Sequence, residues 1–224
     1  MAVIIDDAGY DLSELQSFLD LPVPLTVAVL PGLPHSTEAA RRVVAAGKDL
    51  ILHGPMEPDG GENPGPGVIL SGMTPDLIRA TLDQDFASVP GAIGMNNHMG
   101  SRATADPQVM RTVLEYLREH GKLFVDSRTT AQTAGPAVAQ ALGFPILQRD
   151  IFLDDDTRED QVAAWFARAT DEAAARGTVV AIGHVQNRAV ADILRAAERT
   201  IASRGVRFAR LGEVLSRQER KAAL

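Results

Sequence analysis

The sequence predicts an α/β fold in which about seven parallel strands alternate with helices and curl into a closed or nearly closed barrel. Three observations carry that reading. Short branched apolar runs bounded by Gly or Pro recur along the chain, each followed by a stretch with apolar residues at helical spacing. No linker interrupts the alternation over 224 residues, so residues 1–224 are expected to form one domain. Acidic and imidazole side chains also stand where the strands stop, at Asp6, Asp7, His53, His98, Asp126 and His184. In barrels that rim is where functional residues gather.

The first strand is Val3-Ile4-Ile5, ended by Asp6-Asp7-Ala8-Gly9. If the acidic pair stays extended its two carboxylates point to opposite sides, so that one can face a metal while the other addresses substrate or water. Ordinary turn and helix-capping chemistry accounts for the same four residues equally well. Residues 12–19 have helical spacing, 25–30 (LTVAVL) form a second strand closed by Pro31-Gly32, and 36–46 form a helix stopped by Gly47. The third strand is 49–53 and delivers His53. Residues 54–72 are crowded with Gly and Pro, a loop long enough to cover or line a site.

Thr74-Pro75-Asp76 reads as an N-cap with proline in the first turn of a helix running to Ser88. A fourth strand, 92–96, leads into Asn97-His98-Met99-Gly100-Ser101, and Asp106-Pro107 opens a helix over 109–120. A fifth strand, 123–126, is followed by Ser127-Arg128, a helix over 134–142 and a short strand at 145–147. Residues 151–153 precede the acidic run Asp154-Asp155-Asp156, which lacks the spaced ligands of a calcium loop and is expected to cap the helix over 158–176. Gly177 stops that helix, residues 178–183 form a strand delivering His184, and a helix over 189–204 with a short strand at 206–208 completes the pattern.

Composition narrows the function. A net charge of -7 and a pI near 5.2 argue against nucleic acid or an anionic membrane surface as the main partner. Aromatic residues make up 4% of the chain, with a single Trp, so no stacking platform for a long ligand is evident. Cysteine is absent, which leaves His, Asp and Glu as the strong metal ligands. No apolar run is long enough to span a bilayer. Because the first strand starts almost at the first residue, the sequence is expected to be a trimmed piece, on which any upstream leader or anchor would not be visible.

Of the five histidines, His53, His98 and His184 end apolar runs, whereas His35 and His120 sit in capping or helical contexts. With the aspartate pair they suggest two imidazoles and one carboxylate around a cation that keeps a position open for water, an arrangement suited to hydrolysis. A second carboxylate would accept the water's proton and a histidine across the site would protonate the leaving group; Asp6 and His184 stand where those roles need filling. Glu57, four residues past His53, is a rival ligand. Asn96, Asn97 and Ser101 could touch substrate or could simply hydrogen-bond a turn. Asp126 and Arg128 are expected to pair at the rim, either to orient a site residue or as a plain salt bridge.

Taken together, Ile4-Ile5-Asp6-Asp7-Ala8-Gly9-Tyr10, Ala28-Val29-Leu30-Pro31, Leu52-His53-Gly54-Pro55-Met56-Glu57-Pro58, Asn96-Asn97-His98-Met99-Gly100-Ser101, Asp126-Ser127, Arg149-Asp150-Ile151-Phe152-Leu153-Asp154 and Ala181-Ile182-Gly183-His184 resemble the divergent polysaccharide deacetylase family, in order and over essentially the whole chain. The resemblance implies a distorted (β/α) barrel with fewer than eight strands, one divalent metal with zinc the first expectation, a carbohydrate substrate and a periplasmic or envelope location. By motif position it implies Asp6 as general base, Asp7, His53 and His98 as metal ligands, and His184 as general acid. The chain departs from typical polysaccharide deacetylases in carrying Glu57 where their second histidine ligand stands. Asn97-His98-Met99-Gly100 replaces their arginine-proline-tyrosine groove wall. Gly54 and Val185 stand where the divergent family is expected to have leucine and proline.

The function expected from these readings is metal-dependent removal of an acetyl group from a carbohydrate. A non-catalytic envelope protein that binds carbohydrate, and a metal-dependent hydrolase of another amide or ester, are the alternatives.

Overall fold

The computed structural model describes residues 1–222. The elements run β1 (Ala2–Ala8), α1 (Leu12–Leu19), β2 (Thr26–Val29), α2 (Ser36–Ala45), β3 (Asp49–Met56), α3 (Pro75–Ser88), β4 (Gly94–Met99), α4 (Pro107–Glu119), β5 (Leu123–Asp126), α5 (Gly135–Leu142), β6 (Leu147–Gln148), β7 (Ile151–Phe152), α6 (Glu159–Arg176), β8 (Val180–His184), α7 (Arg188–Ala202) and α8 (Leu211–Ala222). Helix starts follow their capping residues. Asp11 accepts from the Ser13 amide, Thr74 from Leu77, and Asp106 from Gln108 and Val109. Gly177 ends α6 at φ 87°, a left-handed turn open to glycine without strain.

The eight strands form one sheet in the order β6-β5-β4-β3-β2-β1-β8-β7, all pairings parallel. The sheet curls into a barrel of parallel strands surrounded by helices. Its two edges are joined by the chain itself: Leu147 and Gln148 pair with β5, and three residues on Ile151 and Phe152 pair with β8. Arg149 and Asp150 cross this seam, their amides donating to Asp126 on one side and Val180 on the other.

Strand alternation sorts the core into two layers. Ala2, Ile4, Ala28, Ile51, Val125, Leu147, Val180 and Ile182 face inward and cluster with Ala209, Leu211 and Val214 around the start of α8. Their neighbours Val3, Ile5, Val27, Val29, Leu50 and Leu52 pack outward against the helices, among them Leu15, Phe18, Val43 and Val113. The inward parity then continues to the carboxyl ends: two residues past Ile4 is Asp6, past Ile51 is His53, past Val125 is Ser127, and past Ile182 is His184. Asn96 and His98 hold that parity on β4.

Two expectations differ from this structure. Residues 206–208 form no strand: among the described residues their backbone reaches the sheet only beside β1, through Met1, whose N-terminus donates to the Arg207 carbonyl and whose carbonyl accepts from the Ala209 amide, and Val206 and Phe208 bury against the helices, with Phe208 6.4 Å from the Phe166 ring. The strand count is eight because the run across the seam contributes two short strands. No helix among the described residues is long and apolar enough to cross a membrane.

Candidate metal centre and active site

The acidic pair does not stay extended. β1 pairs Ile5 with Val27 and then Ala8 with Val29, so its register slips across Asp6 and Asp7, and Asp7 takes φ 65°. This bulge re-aims Asp7, so both carboxylates reach the mouth of the barrel rather than opposite sides of the sheet. A non-glycine residue in this region costs on the order of 1 kcal/mol. Met99 at φ 52° and Arg128 at φ 49°, the other non-glycine residues with positive φ among the described residues, lie at the end of β4 and just past the end of β5. The strained backbone is thus confined to the rim where the polar residues meet.

Asp7, His53 and His98 form a compact triangle. Asp7 Oδ1 lies 3.1 Å from His53 Nε2 and 3.1 Å from His98 Nδ1, and the two ring nitrogens are 3.1 Å apart. Ligand atoms around a tetrahedral zinc ion stand about 3.3 Å apart, given bonds of about 2.0–2.1 Å. Asp7 Oδ1 is also buried and in hydrogen-bond geometry with no partner, an orphaned acceptor of the kind a cation satisfies. The donor set of one carboxylate oxygen and two imidazole nitrogens therefore fits a divalent ion such as zinc, and these three residues could hold one. The His53 side chain is 3% exposed, whereas Asp7 and His98 are 21% and 18% exposed, so the trio opens towards solvent on one side. Burial alone would raise the Asp7 pKa, but the His53 and His98 imidazoles hold it well below the usual carboxylate range.

Asn96 links this trio to Asp6. Its Nδ2 donates to both Asp6 carboxylate oxygens at 2.9 and 3.1 Å and to Ser127 Oγ at 3.2 Å, which leaves Oδ1 to accept from His53 Nδ1 at 2.8 Å. Nδ1 of His53 is thus committed to Asn96, and Nε2 is the ring atom turned to the triangle, where it could bind a cation. Asp6 is 2% exposed. Burial raises its pKa, and the positive potential of His53 and His184 with the Asn96 hydrogen bond offsets part of that rise.

His184 is the register partner of Asp6 on the adjacent strand. Asp154 grips it twice, accepting from the ring Nδ1 at 2.9 Å and from the backbone amide at 2.9 Å. Burial works against a charge on this imidazole, but the Asp154 hydrogen bond and charge, with Asp6 and Asp7 behind them, push its pKa up to about 9. His184 is thus held as a proton carrier near neutral pH, its Nδ1 committed to Asp154.

Asp154 is the residue that sequence reasoning missed as a site member; the expected capping role fails because α6 is capped at Arg158 without a side-chain bond, while Asp156 grips Arg158. Its signal was available, since Asp154 follows an apolar strand end as His53 and His184 do. Glu57 is no rival ligand. It lies four residues beyond His53 at the end of an extended strand, about 13 Å along the chain, where it accepts from the Ser71 amide and pairs with Arg102 at 3.4 Å. Asp126 and Arg128 form no side-chain ion pair. Asp126 is fully buried and accepts from the Arg128 backbone amide at 2.8 Å and from Thr133 Oγ1 at 2.7 Å, so it shapes the loop from within. Asn97 braces the same loops through Ser127, Met99 and Thr129. Ser101 accepts from the Asp59 amide and clasps the long loop after β3. At Gly54 the Met95 side chain fills the space that a larger residue would need.

A curled parallel sheet with acids and imidazoles gathered at its carboxyl-terminal mouth puts the chain among the barrel-type α/β proteins. Within that class it belongs to the divergent polysaccharide deacetylase family, whose model matches residues 3–215. It is 34% identical over 201 residues to an uncharacterized protein of Haemophilus influenzae, an alignment covering 90% of this chain and 71% of that one. It is also 34% identical over 184 residues to the uncharacterized protein YibQ of Escherichia coli, covering 82% of this chain and 58% of YibQ. The chain therefore spans less than two thirds of YibQ. The crystal structure of an uncharacterized protein from Agrobacterium tumefaciens C58 matches with a TM-score of 0.85 at 21% identity, over 92% of this chain and 84% of that one, a likeness of fold.

Proposed function

We propose that this protein is a metal-dependent deacetylase that removes acetyl groups from a carbohydrate of the cell envelope. The observation that carries this reading is the convergence, on one barrel mouth, of the Asp7–His53–His98 triangle with a buried carboxylate on one flank and the Asp154–His184 pair on the other. Asp7, His53 and His98 would hold a divalent ion, which would supply Lewis acidity to an acyl carbonyl and lower the pKa of a nearby water. Asp6, with its raised pKa, accepts the proton of the attacking water. Asn96 keeps Asp6 and His53 in fixed register while that proton arrives. His184, protonated near neutral pH and oriented by Asp154, gives its Nε2 proton to the departing sugar nitrogen or oxygen as the tetrahedral centre collapses.

Family membership supports the sugar and the envelope location. The test is acetate release from a panel of acetylated saccharides by zinc-loaded protein, with Asp6→Asn expected to lower the rate by roughly 10²–10⁴-fold. No release from any acetylated substrate with metal bound would overturn the reading.

One observation favours a second reading, a non-catalytic envelope protein that binds carbohydrate: Asn97-His98-Met99-Gly100 stands where typical deacetylases build a groove wall. On that reading Asp6→Asn and His184→Ala bind saccharide as tightly as the wild type, and none of the three turns it over.

A further inference from the structure

Where the barrel seam meets the mouth lies a groove whose lining includes Arg128, Thr129, Arg149, Phe152, Trp165 and Arg168. It connects to the site through Phe152, whose ring stacks on His184 with centroids 5.7 Å apart. The Arg149 guanidinium lies 3.7 Å from the same Phe152 ring. Its Nε and Nη2 are tied to the carbonyls of Ser127 and Arg128 at 2.7 and 2.9 Å. Among the described residues Nη1 has no partner, and Arg128 makes no side-chain hydrogen bond or ion pair. Arg168 stacks over Trp165 at 5.2 Å and shares Glu172 with Arg176.

The acids in this groove do not cancel its charge. Asp150 is taken by Arg176 at 2.9 Å and by the Val180 amide, and Arg168 is met by Glu172, leaving Asp155 against Arg128 and Arg149. In a chain of net charge -7 this cationic strip beside the mouth stands against the overall balance. A half-buried guanidinium with its plane fixed and one nitrogen unmet is suited to a carboxylate or phosphate oxygen. The Phe152 and Trp165 rings offer flat apolar faces of the sort that sugar rings cover.

Direction follows from the proposed mechanism, on which this inference rests. His184 protonates the sugar side of the broken bond, so the saccharide extends from His184, and the groove lies there. We infer that the substrate is an anionic saccharide, and that an oxyanion substituent, carboxylate or phosphate, on a sugar near the acetylated one sits on Arg128 and Arg149 with Arg168 at the groove's far wall.

The test uses saccharides without acetyl groups, so it reads binding whether or not hydrolysis occurs. Oligogalacturonate, a phosphorylated malto-oligosaccharide and a neutral malto-oligosaccharide of matched length are titrated calorimetrically into the full chain at low and at physiological salt. At least one charged chain is expected to bind about tenfold or more tighter than the neutral one at low salt, with the margin shrinking as salt rises. A preference for galacturonate identifies a carboxylate, and a preference for the phosphorylated chain a phosphate. Arg128→Gln and Arg168→Gln, both at exposed positions, are each expected to remove much of the margin, and Arg195→Gln on the outer face of α7 to keep it. Equal binding of charged and neutral chains by the wild type, or an undiminished margin in the Arg128→Gln/Arg168→Gln double variant, overturns the inference. Acetate released equally from neutral and anionic acetylated sugars sinks the anion subsite alone. Charged saccharide bound with no acetate ever released sinks the hydrolytic reading and leaves the subsite standing.

Discussion

His53 donates from Nδ1 to Asn96 Oδ1 at 2.8 Å, and this contact ties the ligand half of the site to its acid–base half, because the same amide holds both oxygens of Asp6. Asn96 is fully buried, so none of these bonds is exchanged with bulk water.

Asn96→Ala is therefore expected to weaken zinc binding by about 10–100-fold, since an imidazole freed at Nδ1 loses both tautomer and orientation. It should also cost about 1–3 kcal/mol of stability by stranding the His53 donor and the buried Asp6 carboxylate. Zinc titration and urea unfolding read the two effects separately. An unchanged zinc affinity would show that Asn96 orients nothing.

Asp154→Asn tests the proton carrier. The His184 pKa of about 9 lies above its ordinary value near 6.5, so the bond to Asp154 stabilises the fold fully below about 6.5 and loses its effect as pH rises through about 9. The wild type is expected to exceed the variant in stability at pH 6 and to converge on it above pH 9. In the rate profile the alkaline limb should move to lower pH. Matching stability curves and limbs in both proteins would count against a charged His184.

Asp85 carries a prediction unrelated to the site. It is 5% exposed on α3, its Oδ2 has no hydrogen-bond partner, and burial pushes its pKa up to about 8. Gly67, at φ 75°, lets the long loop after β3 approach so closely that a Cβ there would collide with the Asp85 carboxylate. The folded chain keeps this carboxyl protonated up to about 8, while the unfolded chain ionises it near 4. Over that interval the unfolded state binds fewer protons, so stability falls as pH rises. Asp85→Asn should flatten this decline and gain on the order of a few kcal/mol at pH 9. Identical pH slopes for the two proteins in urea unfolding would refute it.

Much of this architecture is readable from local pattern. Branched runs that end in Asp or His mark the strands and their rim, and Asp6, Asp7, His53, His98 and His184 all stand at the mouth. What escaped depends on pairing between distant segments. The slip in β1 that turns Asp7 beside Asp6 needs β2 as its reference. Asp154 meets His184 only because β7 pairs with β8. The alternating residues 206–208 look like a strand, but among the described residues their backbone reaches the sheet only through Met1 beside β1. Asp126 and Arg128 invite an ion pair by charge, yet it is the Arg128 backbone amide that satisfies the acid.

The proposed chemistry requires Asp7, His53 and His98 to share one divalent ion. The most direct test is anomalous diffraction at the zinc edge from crystals grown with zinc. A single strong peak is expected about 2.0–2.2 Å from Asp7 Oδ1, His53 Nε2 and His98 Nδ1. No peak at that triangle, or a peak held by other residues with the three side chains hydrogen-bonded only to one another, contradicts it.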